Sequence, residues 1–353
     1  MLTSLKPPAL IALALAWSVI SLTAETPCVD SGLPTYKPEG HPVGTLTIAR
    51  LASTETLVGA WVREFNRLHP EVRARQSENG TDLPAVCLQQ LMRGDVGIAP
   101  FVRDIQPPEM AQAKAALAGE PLEIAIATGS RATRANGSAI AIYVNSANPL
   151  SRLTLAQLDA IFSETRRRGH PEAIDRWGQL GLTGEWANAP IHCYGMVVNR
   201  PAGATYAGVV YFLMHRLMLD GKFKSDVIQF PDTAAGRGNN RVFDNIVSAL
   251  AADRLGIGYA GFFNQIPGVK TVALAESEGQ PFYVGTADEV ARRAYPLSRT
   301  MYAFVKRRPI DSLVREFMLY VLSRDGQQAV AEDPANFLPL PAAVAARERA
   351  KLD

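Results

Sequence analysis

Apolar residues recur along this chain in two alternating rhythms. Short dense runs at Thr45–Ala49, Val72–Gln76, Val96–Val102, Leu122–Ala127, Ala139–Val144, Ile191–Val198 and Thr300–Val305 read as strands, several of them buried on both faces. Between them come stripes at helical spacing. Leu57, Trp61 and Phe65 line a helix ending at His69-Pro70; Leu83, Val86, Leu91 and Met92 line the next. Further helices are predicted over Glu109–Leu117, Thr154–Phe162, a stretch including Val209, Phe212, Leu213 and Leu217, Phe243–Ala252, Leu313–Leu322 and Gln327–Ala331. Gly256-Ile257-Gly258-Tyr259 opens another strand. Strands alternating with helices predict open α/β sheets, in which ligands sit in the loops beyond the strand ends. Two α/β lobes, with the chain crossing between them more than once, fit this order.

The loops carry the candidate chemistry. In Asn79-Gly80-Thr81-Asp82, either Asp82 or Thr81 is expected to cap a helix with Pro84 in its first turn, and Gly94 is expected to end it. A strand later comes Arg103. A helix start offers unpaired backbone N–H groups and partial positive charge, which favour an anion. Ser53–Thr56, Gly80–Thr81 and Gly203–Thr205 are three such Ser/Thr/Gly segments, with Arg103 and Arg200 near two of them. Any one of them is most often only a helix cap. Three in one two-lobed pattern read as a shared anion site, where arginines supply the strong charge-assisted bonds.

Composition narrows the rest. A chain of 353 residues, 47% hydrophobic, buries ample core, and a formal charge of +2 argues against nucleic acid as a partner. The clusters Arg166-Arg167-Arg168 and Lys306-Arg307-Arg308 read as solvated surface. Lys6, the apolar run Ala9–Ile20 and Ser21-Leu22-Thr23-Ala24 form an export signal over residues 1–24, too short to span a bilayer, with cleavage expected after Ala24. Glu25-Thr26-Pro27 before Cys28 does not match a lipoprotein signal. In an exported chain, Cys28, Cys87 and Cys193 permit one disulfide. Cys28 lies on a Pro/Gly-rich arm over residues 25–44 that a bond would staple; a Cys28–Cys87 bond is expected, with Cys193 the alternative partner. The histidines show no metal-ligand spacing, and no H-E-x-x-H, G-x-S-x-G or Walker loop occurs; Gly236-Arg237-Gly238-Asn239-Asn240 is only faintly nucleotide-like. No cofactor, metal or covalent chemistry is expected.

Leu153-Thr154-Leu155-Ala156-Gln157-Leu158 with Ile161-Phe162-Ser163, then Ile257-Gly258-Tyr259, Tyr295-Pro296-Leu297-Ser298-Arg299, and Leu322-Ser323 with Gly326-Gln327 carry a resemblance. From about Gly44 to Pro341 the chain resembles the phosphate-binding subunits of bacterial phosphate ABC transporters. The resemblance implies a type II periplasmic binding protein fold, with a ligand cleft between the lobes. One lobe would comprise residues 45–137 and 296–353, the other residues 138–295. It implies a monomeric periplasmic or secreted protein that binds phosphate or a similar oxyanion and serves an inner-membrane permease. Carried over, the anion ligands are Ser53, Thr54, Thr56, Gly80, Thr81, Arg103, Arg200, Gly203 and Thr205. The first loop here lacks the family's glycine. Val102 stands where a serine precedes the family's arginine, and Pro201-Ala202-Gly203-Ala204 replaces most of an Arg-Ser-Gly-Thr type loop. Alternatives are an interaction or sensing protein that keeps the fold with a degenerate anion site, and a phosphatase.

Overall fold

The computed structural model describes residues 28–131, 137–201, 204–231, 240–307 and 310–353. The expected export segment 1–24, Gly203 and the glycine-rich residues 236–239 lie outside them. The strands are β1 (Gly44–Ile48), β2 (Val72–Gln76), β3 (Ile98–Phe101), β4 (Leu122–Thr128), β5 (Ile140–Asn145), β6 (Arg152–Thr154), β7 (His192–Met196), β8 (Ile228–Phe230), β9 (Gly256–Gly261), β10 (Val269–Thr271), β11 (Ala273–Ala275) and β12 (Thr300–Val305). The helices are α1 (Glu55–Leu68), α2 (Pro84–Arg93), α3 (Pro107–Ala116), α4 (Leu155–Phe162), α5 (Gly208–Phe212), α6 (Asn240–Ala252), α7 (Ala287–Ala291), α8 (Ser312–Val321), α9 (Arg324–Glu332) and α10 (Ala342–Arg349). None of the described helices is long and apolar enough to cross a membrane.

The two lobes are built on separate five-stranded sheets, ordered β2-β1-β3-β12-β4 and β10-β5-β9-β7-β8. In the first, β1 runs parallel to β2 and β3, while β12 returns antiparallel between β3 and β4. Every residue of β3, β5 and β9 is buried, which explains why these strands read as unbroken apolar runs. The first core packs α1 on α8 through Phe65 and Phe317, edge to face with ring centroids 5.0 Å apart, and Trp61 donates its indole N–H to the Gly326 carbonyl at 2.7 Å. The second core includes Trp177, Tyr143 and Tyr259; the Tyr259 hydroxyl accepts the Met196 N–H at 2.9 Å.

The lobes join where three stretches lie side by side. Thr128 pairs with Leu338, Gly129 donates to the Arg299 carbonyl at 2.8 Å, and Ile140 donates to the Leu297 carbonyl at 3.2 Å. Gly129 is obligatory here, because a Cβ on it would lie 1.9 Å from the Gly137 carbonyl oxygen.

Two expectations are corrected. Leu83, not Asp82 or Thr81, occupies the α2 N-cap; Thr81 stands two residues earlier, its hydroxyl accepting the Leu83 N–H at 3.0 Å, while Gly94 ends the helix in the left-handed region. Pro84 holds the residue before it extended, which puts Leu83, with no side-chain acceptor, at the N-cap, and the Thr81 hydroxyl closes a local turn instead of capping the helix. The Cys28–Cys87 bond is also absent: all three cysteines are free thiols. Cys87 is enclosed under α2, where burial pushes its thiol up to about 12, and Cys28 is exposed. The arm is held without it, by Asp30 accepting the Ala342 N–H at 2.8 Å and Asp325 accepting the Tyr36 N–H at 2.6 Å.

Candidate functional site

The expected anion loops lie beyond the C-terminal ends of β1, β2, β3 and β7, where open α/β sheets leave their ligand crevices. The loops after β1 and β2 are stitched together. Thr81 donates its N–H to the Arg50 carbonyl at 3.0 Å, Ala52 donates to the Thr81 carbonyl at 2.9 Å, and Arg50 donates to the Ser77 hydroxyl at 3.0 Å. Within the first loop Ser53 is half-buried and Thr56 is exposed at the start of α1. Thr54 is fully buried, and both its N–H and its hydroxyl turn back to the Leu51 carbonyl, at 2.9 and 3.1 Å. Its hydroxyl therefore shapes the turn and is not aimed at a ligand. Thr81 differs: its hydroxyl oxygen accepts from Leu83, which leaves the O–H free to donate.

Gly80 has a specific neighbour. A Cβ there would meet Arg50 Nε at 2.7 Å, so the glycine makes room for a guanidinium lying across the second loop. Arg50 Nε is sealed from solvent without a hydrogen-bond partner, and its nearest carboxylate, Glu55 Oε1, stands 4.0 Å away. Arg50 was not among the residues expected from the sequence. Its only signal there is a basic residue directly after the apolar strand Thr45–Ala49.

Arg103 is placed otherwise. It forms a two-pronged pair with Glu109, Nη1 to Oε2 at 2.7 Å and Nη2 to Oε1 at 2.5 Å, and Nη1 also reaches the Asp104 carbonyl at 2.9 Å. Both side chains are largely buried, so this charge is matched by the first turn of α3. The stem of Arg103 packs against Gly208 at the start of α5, where a Cβ would approach its Cδ to 2.9 Å.

In the loop after β7, Arg200 is exposed and donates from Nη1 to the Thr205 carbonyl at 3.1 Å. Thr205 is exposed, and the next residue, Tyr206, is bound by Gln106 through two hydrogen bonds at 2.7 and 2.8 Å. Tyr206, which follows the third loop, is thus fixed to the loop that carries Arg103. Between the lobes lies a further cation: buried Arg299 donates to the Val102 carbonyl at 3.3 Å and covers the Phe212 ring at 5.4 Å. Burial lowers its pKa, and Asp104 opposes that shift.

Chemically, these loops offer hydroxyls, backbone N–H groups and guanidinium donors, a set suited to an oxyanion. Among the described residues no group of three His, Cys, Asp or Glu side chains could hold a metal ion.

No family model matches the chain. Over 320 residues it is 30% identical to the phosphate-binding protein PstS of Pseudomonas aeruginosa, covering 90% of both chains. Among solved structures it aligns with an ABC-type phosphate transport receptor from Vibrio cholerae, with TM-score 0.51 and 18% identity, over 83% of this chain and 99% of the other. PstS from Borrelia burgdorferi aligns with TM-score 0.51 and 15% identity, over 84% and 98% of the two chains. At those identities the two structures speak for the fold, which is the same.

Proposed function

The chain belongs to the PstS family of phosphate-binding proteins, and from that premise we propose that it captures phosphate or a related oxyanion between its lobes for uptake by an inner-membrane ABC transporter. The observation that carries this is the stitching of the first two loops, which sets the Thr81 hydroxyl, the Gly80 turn and the Arg50 guanidinium together beside the start of α1. In this reading Ser53, Thr56, Thr81 and Thr205 donate hydrogen bonds, Gly80 lets the backbone approach, and Arg50 and Arg200 supply charge. Thr54 holds the first turn, and Arg103 acts through its pair with Glu109. The protein works as an exported, periplasmic monomer and performs no covalent step.

Titration calorimetry with phosphate and then sulfate, on protein unfolded and refolded to strip carried ligand, tests this. Micromolar or tighter binding that prefers phosphate is the expected outcome. Thr81→Ala, losing one donor to an ion, weakens binding by roughly one to two powers of ten. The internal neutralisation of Arg103 favours a second reading, an interaction or sensing protein with the same fold. No heat with either anion, from folded protein, selects that second reading.

A further inference from the structure

Gln106 ends the loop that follows β3 and is 2% exposed. Its amide donates from Nε2 to the Tyr206 carbonyl at 2.7 Å and accepts the Tyr206 N–H at Oε1 at 2.8 Å, across 100 residues of sequence and from one lobe to the other. A primary amide carries a donor and an acceptor side by side, so it pairs with one residue's backbone as a strand neighbour would. Gln106 is itself held: its N–H donates to Glu109 Oε2 at 2.9 Å, and its carbonyl accepts from Met110 at 2.9 Å. Glu109 is also the carboxylate that grips Arg103. One acidic side chain therefore orients both the arginine and the glutamine, and the glutamine fixes the residue next to Thr205. The same seam is tight enough that Gly208 leaves no room for a Cβ beside Arg103.

We infer that Gln106 is a positioning residue, a latch whose two hydrogen bonds form only when the lobes are closed and which holds Tyr206, and with it Thr205, beside the bound anion. The inference rests on the oxyanion reading above. Opening the cleft must break both bonds, so the latch slows release and leaves capture by the open form unchanged. Because both bonds are neutral, its effect is independent of ionic strength, unlike that of a guanidinium in contact with the anion.

The test is stopped-flow phosphate binding at low and high salt, with small-angle scattering of the ligand-free proteins, on wild type and Gln106→Ala. The dissociation rate should rise about tenfold at both salt concentrations, the worth of two neutral hydrogen bonds, while the association rate stays within about twofold. The radius of gyration of free Gln106→Ala should exceed that of wild type. Gln106→Glu turns a carboxylate oxygen toward the Tyr206 carbonyl, where Nε2 now donates, so its dissociation rate should rise at least as far as that of Gln106→Ala. Unchanged dissociation in Gln106→Ala, with the melting transition intact, overturns the inference. If wild type takes up no phosphate, the oxyanion reading fails instead, and scattering decides the latch alone: equal radii overturn it.

Discussion

The imidazole of His69, just past the end of α1, meets the Tyr36 hydroxyl at 2.7 Å, and that hydroxyl donates to Glu316 Oε1 at 2.6 Å. Burial lowers the His69 pKa, with His41 acting in the same direction and Glu316 against it. The folded state thus prefers neutral imidazole, whereas the unfolded chain takes up a proton near the ordinary value of about 6.5. Stability is therefore full above that pH and falls as pH drops through it toward the depressed folded value. Thermal melts between pH 8 and pH 5 check this: wild type should lose stability on acidification, and His69→Gln should lose less over the same interval. At the site, what was legible from residues alone was the Gly80–Thr81 turn, because a glycine followed by a hydroxyl just before a proline-started helix is a local pattern. Arg50 left none. Its role arises where the end of β1 passes over a loop some thirty residues on, and only packing puts them together. The partner of Arg103 was nearer, yet Glu109 reads in sequence simply as an acidic residue in a first helical turn.

Long elements announce themselves by period and end signals. β2 and β12 occupy the spans that their apolar patterns predict, and α4 begins right after Thr154, whose hydroxyl accepts the Gln157 N–H at 3.2 Å. The three-residue strands β6, β8, β10 and β11 were not legible, because so few residues complete no rhythm and their pairing is decided by distant neighbours. Helix α5 starts at Gly208 and passes into a π-helical turn over Leu213–Leu217, an irregularity no 3.6-residue pattern foretells. The joining stretches between lobes are the least tolerant connections. Gly129→Ala pushes a methyl group into the Gly137 carbonyl, so it should destabilise the protein by about 1–3 kcal/mol, the range for overpacking. Denaturant midpoints of the variant and wild type measure this. A wild-type midpoint would mean that the joining stretches slide apart at little cost.

At the level of the whole molecule, the two lobes are unlike in how the chain visits them. The second sheet draws all its strands from one continuous stretch, β5 to β10, within which only β6 leaves for a small pairing with β11. In the first, β3 and β4 touch each other only through β12, which is hydrogen-bonded to both. Phe337 belongs to the first core and Leu338 to the second, so the final segment ties the lobes as well.

The central place of β12 carries a consequence in time. The opening third of the chain cannot complete its sheet until the polypeptide has gone out, built the other lobe and come back. Contacts of such sequence separation are slow to close. In pulse-labelled refolding, amides of β5, β7 and β9 should gain protection before those of β1, β3 and β4, and simultaneous protection would contradict this order. A newly made chain then carries β1 to β4 unfinished until its last residues emerge, and stopping synthesis short of Thr300 leaves one lobe folded and the other waiting.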